Sequence, residues 1–267
     1  MEAIPLEEQF ELARQARDVR DEKQAAAWYR SILRQEPENW EASFFTGYYN
    51  ARKVRFTDTE AAVKELGGAF EKSLGDMCSA FSGDGAGARL AFRTLMRYAD
   101  YFTDSLSAAC VSGYQQPVGD DPGSEKEAWL KSLKHALEFN LRVTAALESL
   151  QGAALELLGG DDVWNDHLLD LYAKTVEIAT KYSNFVNEGR SAFWIRRHDN
   201  GLLKKIEENA DLIRAEDPHY RAPYCRARAA FASEEKRQTF LYISIAAAFL
   251  LCIAAVVFFI FMRQPLR

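Results

Sequence analysis

From Thr239 to Met262 the sequence reads TFLYISIAAAFLLCIAAVVFFIFM, 24 residues without a formal charge, and only RQPLR follows. A helix of that length reaches about 36 Å at about 1.5 Å per residue, enough to cross a hydrocarbon core of about 30 Å with some tilt. Fourteen Leu, Ile, Phe and Val residues lie between Phe240 and Phe261. At about 0.3 to 0.6 kcal/mol each they favour insertion by roughly 4 to 8 kcal/mol. A soluble core helix would need burial around its whole circumference at a chain terminus, so the segment reads as a transmembrane helix. Arg226, Arg228, Lys236 and Arg237 precede it, and Arg263 and Arg267 follow. The heavier basic flank lies on the N-terminal side, which favours a cytoplasmic body and the layout of a single-pass, tail-anchored protein. These cations would either be attracted to anionic lipid or serve as ordinary solvated flanks.

Outside this segment the chain has 31 basic and 39 acidic side chains, a net charge of −8. Duplex nucleic acid is a poor match for that balance, because phosphate-binding surfaces need clustered Lys and Arg. With 48% hydrophobic and 27% charged residues, the composition is that of a folded protein rather than a disordered one. Cys78, Cys110, Cys225 and Cys252 lie far apart, and no two form a C-x-x-C pair. Free thiols in a reducing compartment fit better than a zinc ribbon or a disulfide framework. The opening MEAIPLEEQFELARQAR is acidic in part and has no apolar stretch of secretory type.

Between Leu6 and Phe231 the apolar residues recur at helical spacing, and the prolines stand at boundaries, which predicts an all-α body. QPVGDDPGS, ending at Ser124, reads as a loop, with Ser124 and Glu127 as a capping box for the following helix. That helix should stop at Gly159 and Gly160, and Asp161 and Asp162 should cap the next. Leu130, Leu133, Leu137, Leu141, Thr144 and Leu147 form one stripe. Trp164, Leu168, Leu171, Thr175, Ile178, Tyr182 and Phe185 form the other, predicting a long antiparallel helix pair. A further boundary falls at Asp217-Pro218, and after Pro223 the helical pattern runs on into the apolar span.

Residues 12 to 51 carry a more specific pattern. Ala25, Tyr29, Ile32 and Pro37 have the spacing of small, aromatic, apolar and proline positions. Leu12 and Ala13 lie upstream and Gly47 downstream at matching places. This resembles a tetratricopeptide repeat (TPR), over about one and a half repeats. The resemblance implies TPR-like helices over 1–80, completed by a helical bundle over 81–218. A juxtamembrane stalk at 219–238, the span at 239–262 and a tail at 263–267 complete the expected organisation. It also implies a groove that binds a protein or peptide, with Phe10, Arg14, Arg17, Phe44, Tyr48 and Arg52 facing it. Arginine forks and aromatic rings in that set suit an acidic, partly apolar segment. Internal packing of the three aromatics, with solvated arginines, is the competing expectation.

The residues give no chemistry for an enzyme and imply no cofactor. His135, His167, His198 and His219 lack metal-ligand spacing. Asp161, Asp162, Asp166 and His167 cluster where acids stabilise a helix start. The glycines at 83, 85 and 87 lack the Lys-Ser/Thr of a phosphate loop. SAFWIRRHDNGLLKK, with Arg196, Arg197, His198, Lys204 and Lys205, could hold an anion, a lipid head group or RNA, or act as a solvated or internally paired helix junction, which the acidic balance of the body favours. The expected function is a non-enzymatic membrane-anchored scaffold or adaptor. The rival is a lipid- or envelope-interacting helical protein that uses its basic juxtamembrane region.

Overall fold

A computed structural model describes residues 4–53, 59–81, 84–113, 122–158, 162–191, 194–195 and 200–262. Within helices, the side chains of 109–113, 122–125, 153–157, 162, 200 and 256–262 are not part of that description. The described residues contain helices and connections but no strand: α1 (Leu6–Asp18), α2 (Glu22–Gln35), α3 (Trp40–Lys53), α4 (Thr59–Ala80), α5 (Gly85–Gly113), α6 (Pro122–Leu158), α7 (Asp162–Val186), α8 (Asn200–Glu216) and α9 (Arg226–Met262). The protein is all-α, with a C-terminal helix long and apolar enough to cross a membrane.

Consecutive helices pair as hairpins, α1 with α2 and α3 with α4, and α2 also packs on α3. Beyond them α6 is central: α4, α5 and α7 all pack against it, and α8 covers α7. This explains why α6 buries more than one stripe. Leu133, Leu137 and Leu147 are buried, and so are Ala136, Phe139 and Val143 on adjoining faces. The buried apolar side chains form one continuous cluster from Ala13 to Ala230, so the core does not divide between residues 80 and 81. The α7 stripe lies inward, with Trp164, Leu168, Leu171, Thr175 and Ile178 buried. Asn140 of α6 latches the pair by donating to the Leu171 carbonyl (2.9 Å) and Thr175 Oγ1 (2.8 Å).

Local chemistry sets the helix ends. Asp21 N–H donates to the Ala16 carbonyl (2.8 Å) and Arg20 N–H to that of Arg17 (3.1 Å). Arg20 itself sits at φ 62°, and together these make a Schellman stop for α1. The Asp21 carboxylate then accepts from Gln24 N–H at 3.0 Å and caps α2. Helix α2 ends at Gln35, just before Pro37, and α6 ends at Leu158, just before the two glycines. Its start differs from expectation: α6 begins at Pro122, so Pro122 to Ser124 are helical rather than loop. Proline fits the first helical position because the N–H it lacks would have no intrahelical partner there. Gly159, Gly160 and Asp161 lie outside the described residues.

Gly47 marks the closest approach of α3 to α4. A Cβ built there would stand 2.5 Å from the Ala69 Cβ, whereas one at Gly75 would meet nothing within 4 Å. Gly75→Ala is therefore expected to raise stability by about 0.5 to 1 kcal/mol through helix propensity. Gly47→Ala is expected to lower it, because overpacking of about 1 to 3 kcal/mol outweighs the same helix gain. Paired thermal melts of the two variants check the opposite signs, and a shared direction would contradict the packing account.

Helix α9 is unbroken over its whole length. Its first turns dock on the body: Ala227 and Ala230 are buried, as is the preceding Cys225. Arg226 N–H donates to Asn184 Oδ1 (2.7 Å) and Arg226 Nη1 to the Asn187 carbonyl (2.9 Å). Arg228 pairs with Glu207 (2.9 Å). From Phe240 to Ala255 every residue is exposed, and no part of the most apolar stretch is buried. Phe240, Leu251 and Phe249 are 73%, 72% and 67% exposed. The segment is thus no core helix of the body.

Candidate docking surface

The arginines of α1 converge on one buried carboxylate. Glu41, near the start of α3, accepts from Arg14 Nε (3.1 Å) and Nη2 (2.6 Å), from Arg17 Nη1 (3.2 Å) and from the Tyr29 hydroxyl (2.9 Å). The Arg17 side chain is only 12% exposed and Glu41 5%, while Arg14 remains half exposed. Arg17 also donates to Tyr29 Oη (3.2 Å) and lies 5.0 Å over the Phe45 ring. Burial, reinforced by the Glu41 charge, pushes the Tyr29 phenol far above its ordinary pKa, so it stays a neutral donor.

Phe44 and Tyr48 are core residues, which corrects the open-groove place implied by the resemblance and agrees with the competing expectation of internal packing. The reason is that α3 is covered from two sides. Phe44 meets Phe70 of α4 edge-on at 6.3 Å, and Tyr98 of α5 lies 5.1 Å from Tyr48. Phe10 is half-buried against the core with Arg14 5.4 Å over its ring. Arg52 donates to the Tyr48 hydroxyl (3.1 Å) and pairs with Glu22 (2.8 Å). The six residues therefore divide: two lie inside, Arg14 and Arg17 share an internal partner, and Phe10 and Arg52 border the surface.

The open face next to them belongs to α5. Leu90, Arg93, Arg97 and Tyr101, spaced by three and four residues, form one exposed stripe, with Leu90 71% and Tyr101 53% exposed. Arg97 lies 5.3 Å over the Tyr98 ring, and Tyr98 meets Tyr101 edge-on at 5.7 Å. Neither Arg93 nor Arg97 has a carboxylate partner among the described residues. The adjoining acids are already engaged: Asp100 and Asp104 hold Lys174 at 2.8 and 2.9 Å, and Asp18 pairs with Arg17. This stripe was not among the residues expected from sequence. Its signal was there in Arg89, Arg93 and Arg97, four residues apart, followed by Tyr101.

Other sites singled out in the sequence have structural roles. Asp84 Oδ1 accepts from Gly87 N–H (3.0 Å), so Asp84 caps α5, while Gly83 lies outside the described residues. His135 is buried and hydrogen-bonded to Thr59 Oγ1. Arg190 stacks 3.4 Å over Trp194, while Arg196, Arg197 and His198 lie outside the described residues. No group of three His, Cys, Asp or Glu side chains gathers to hold a metal among the described residues. Cys78, Cys225 and Cys252 are free thiols. Of the membrane-flanking cations, Arg226 and Arg228 hold the body, Lys236 and Arg237 are exposed, and Arg263 and Arg267 lie outside the described residues.

Burial lowers the pKa of both His135 and His167 below that of a free imidazole. The unfolded chain then takes up protons first as pH falls below about 6.5. Their contribution is complete above that pH and is lost as pH drops towards the folded-state values. The melting midpoint should therefore fall between pH 7.5 and 5.5, and less steeply in His135→Gln. A midpoint that is flat across this window would contradict it.

Neither a protein-family model nor a curated protein matches this sequence.

Proposed function

We propose that the protein is a non-enzymatic, tail-anchored scaffold or adaptor whose TPR-like helical body faces the cytoplasm and binds an acidic protein segment. The observation that carries this reading is the contrast along the chain. The last helix runs without a break from first turns docked on the packed body into a stretch, Phe240 to Ala255, in which every residue is exposed. Such a helix needs a nonaqueous surround, and confining the body to a surface raises the effective concentration of partners there. Two successive hairpins, Pro37 just past α2 and the tight Gly47 contact support the TPR-like reading. The α5 stripe supports docking, because tyrosine and arginine are among the side chains that dominate interface energies, and neither Arg93 nor Arg97 has a carboxylate partner among the described residues. Its cations suit carboxylates, and Leu90 and Tyr101 supply apolar contact.

The test is site-specific photo-crosslinking from position 101 in native membranes. A discrete protein adduct that disappears in Arg93→Glu/Arg97→Glu, with the fold intact by circular dichroism, is the expected result. Adducts unchanged by charge reversal would remove the docking surface. Adducts to lipid in place of protein would favour the lipid-interacting reading.

A further inference from the structure

The turn between α2 and α3 and the last turn of α4 border an open surface cleft of about 460 Å³ lined by Glu36, Pro37, Glu38, Asn39, Trp40 and Ala80. Its platform is the half-buried indole of Trp40, held against Phe81 at 6.1 Å and 54°. Asn39 shapes the rim twice: its Oδ1 accepts from Ala42 N–H (3.0 Å) at the start of α3, and its Nδ2 donates to Glu36 Oε2 (3.0 Å). Glu36 and Glu38 are exposed, and Glu38 meets no cation among the described residues. Lys72, the nearby base, is already engaged by the Pro37 carbonyl (2.8 Å) and Asp76 (2.9 Å). Helices α2 and α4 end here and α3 begins here, so the ends of their dipoles oppose one another and the negative charge of the hollow comes from Glu36 and Glu38.

The lining thus combines an aromatic face, short apolar walls and negative potential. Carboxylates alone would only be a solvated rim. The hollow and the indole plane are what give a cation a defined place. We propose that this cleft binds a lysine or arginine side chain presented by a partner protein. The alkyl stem crosses Pro37 and Ala80, and the charged head lies over the indole between Glu36 and Glu38. Because its charge preference is opposite to that of the α5 stripe, the site stands independently of the docking surface proposed there.

The experiment uses the full-length protein in phosphatidylcholine nanodiscs, labelled with 5-fluorotryptophan. The probe is a fluorescein-tagged Gly-Gly-Arg-Pro-Lys-Gly-Gly peptide, and the control has glutamine in place of both basic residues. The basic peptide should bind at least about tenfold more tightly than the control and should move the Trp40 fluorine resonance, assigned through Trp40→Phe. Glu36→Gln/Glu38→Gln should weaken binding about tenfold with no change in the melting midpoint, since both side chains are exposed. Equal affinity for the two peptides overturns the proposal. So does undiminished binding to the double variant, or a Trp40 resonance that stays still while the basic peptide binds.

Discussion

Glu41→Ala should destabilise the helical body by about 3 to 5 kcal/mol, the usual cost of removing one member of a buried ion pair. Glu41 lies where α1, α2 and α3 meet, and three side chains donate to it. Without it, the largely buried guanidinium of Arg17 loses its buried counter-ion and the buried hydroxyl of Tyr29 loses its acceptor. Each is a desolvated donor left without full compensation. Arg14, half exposed, can turn to water, so Arg14→Ala should cost at most about 1 kcal/mol. For a body of this size, Glu41→Ala should lower the melting midpoint by about 6 to 20 °C. Circular-dichroism melts of the two variants provide the comparison. Equal midpoints would show that Glu41 is not the keystone of this junction.

Leu250→Arg/Leu251→Arg should move the protein from the carbonate-resistant membrane fraction to the supernatant. Each arginine near the middle of the span costs about 2.5 to 3.5 kcal/mol, and each lost leucine removes about 0.3 to 0.6 kcal/mol of favourable transfer. The total of about 6 to 8 kcal/mol matches or exceeds the roughly 4 to 8 kcal/mol that the branched and aromatic residues supply. Leu250 and Leu251 are 65% and 72% exposed and belong to no core. The body should therefore keep its helical content and its melting midpoint. Continued resistance to carbonate would mean that the apolar helix is not held by lipid.

Much of this architecture is legible in the sequence because helix periodicity reports burial directly. The stripe from Trp164 to Ile178 and the small residues at Ala25 and Gly47 are cases where one face must be apolar or thin whatever lies opposite. The partner of a polar side chain has no such signature. Arg14 and Arg17 looked available because their carboxylate lies 27 and 24 positions away, and only the packing of α1 and α3 against α2 brings it near. The same limit applied to the stripe on α5. Leu90 and Leu95 fit an apolar helical pattern equally well, yet Leu95 is buried and Leu90 is 71% exposed. Phe44 and Tyr48 failed in the opposite direction, since their burial depends on Phe70 and Tyr98 from helices that the repeat pattern did not cover.

One mechanical consequence follows from the unbroken course of α9. Only 235–239 separate Glu234, which is half-buried, from Phe240, at 73% exposure. At about 1.5 Å per residue, a bilayer that took up the apolar stretch from Phe240 onward would hold the body within roughly 10 Å of its surface. The 24-residue span is longer than the hydrocarbon core it would cross. To the extent that tilt absorbs the excess, thickening that core from about 30 to 33 Å changes the angle by about 10°. A helix with no hinge passes that rotation to the body. Bilayer thickness would then steer which face of the body looks towards the membrane, and polarised infrared spectra in lipids of different chain length would register the turn.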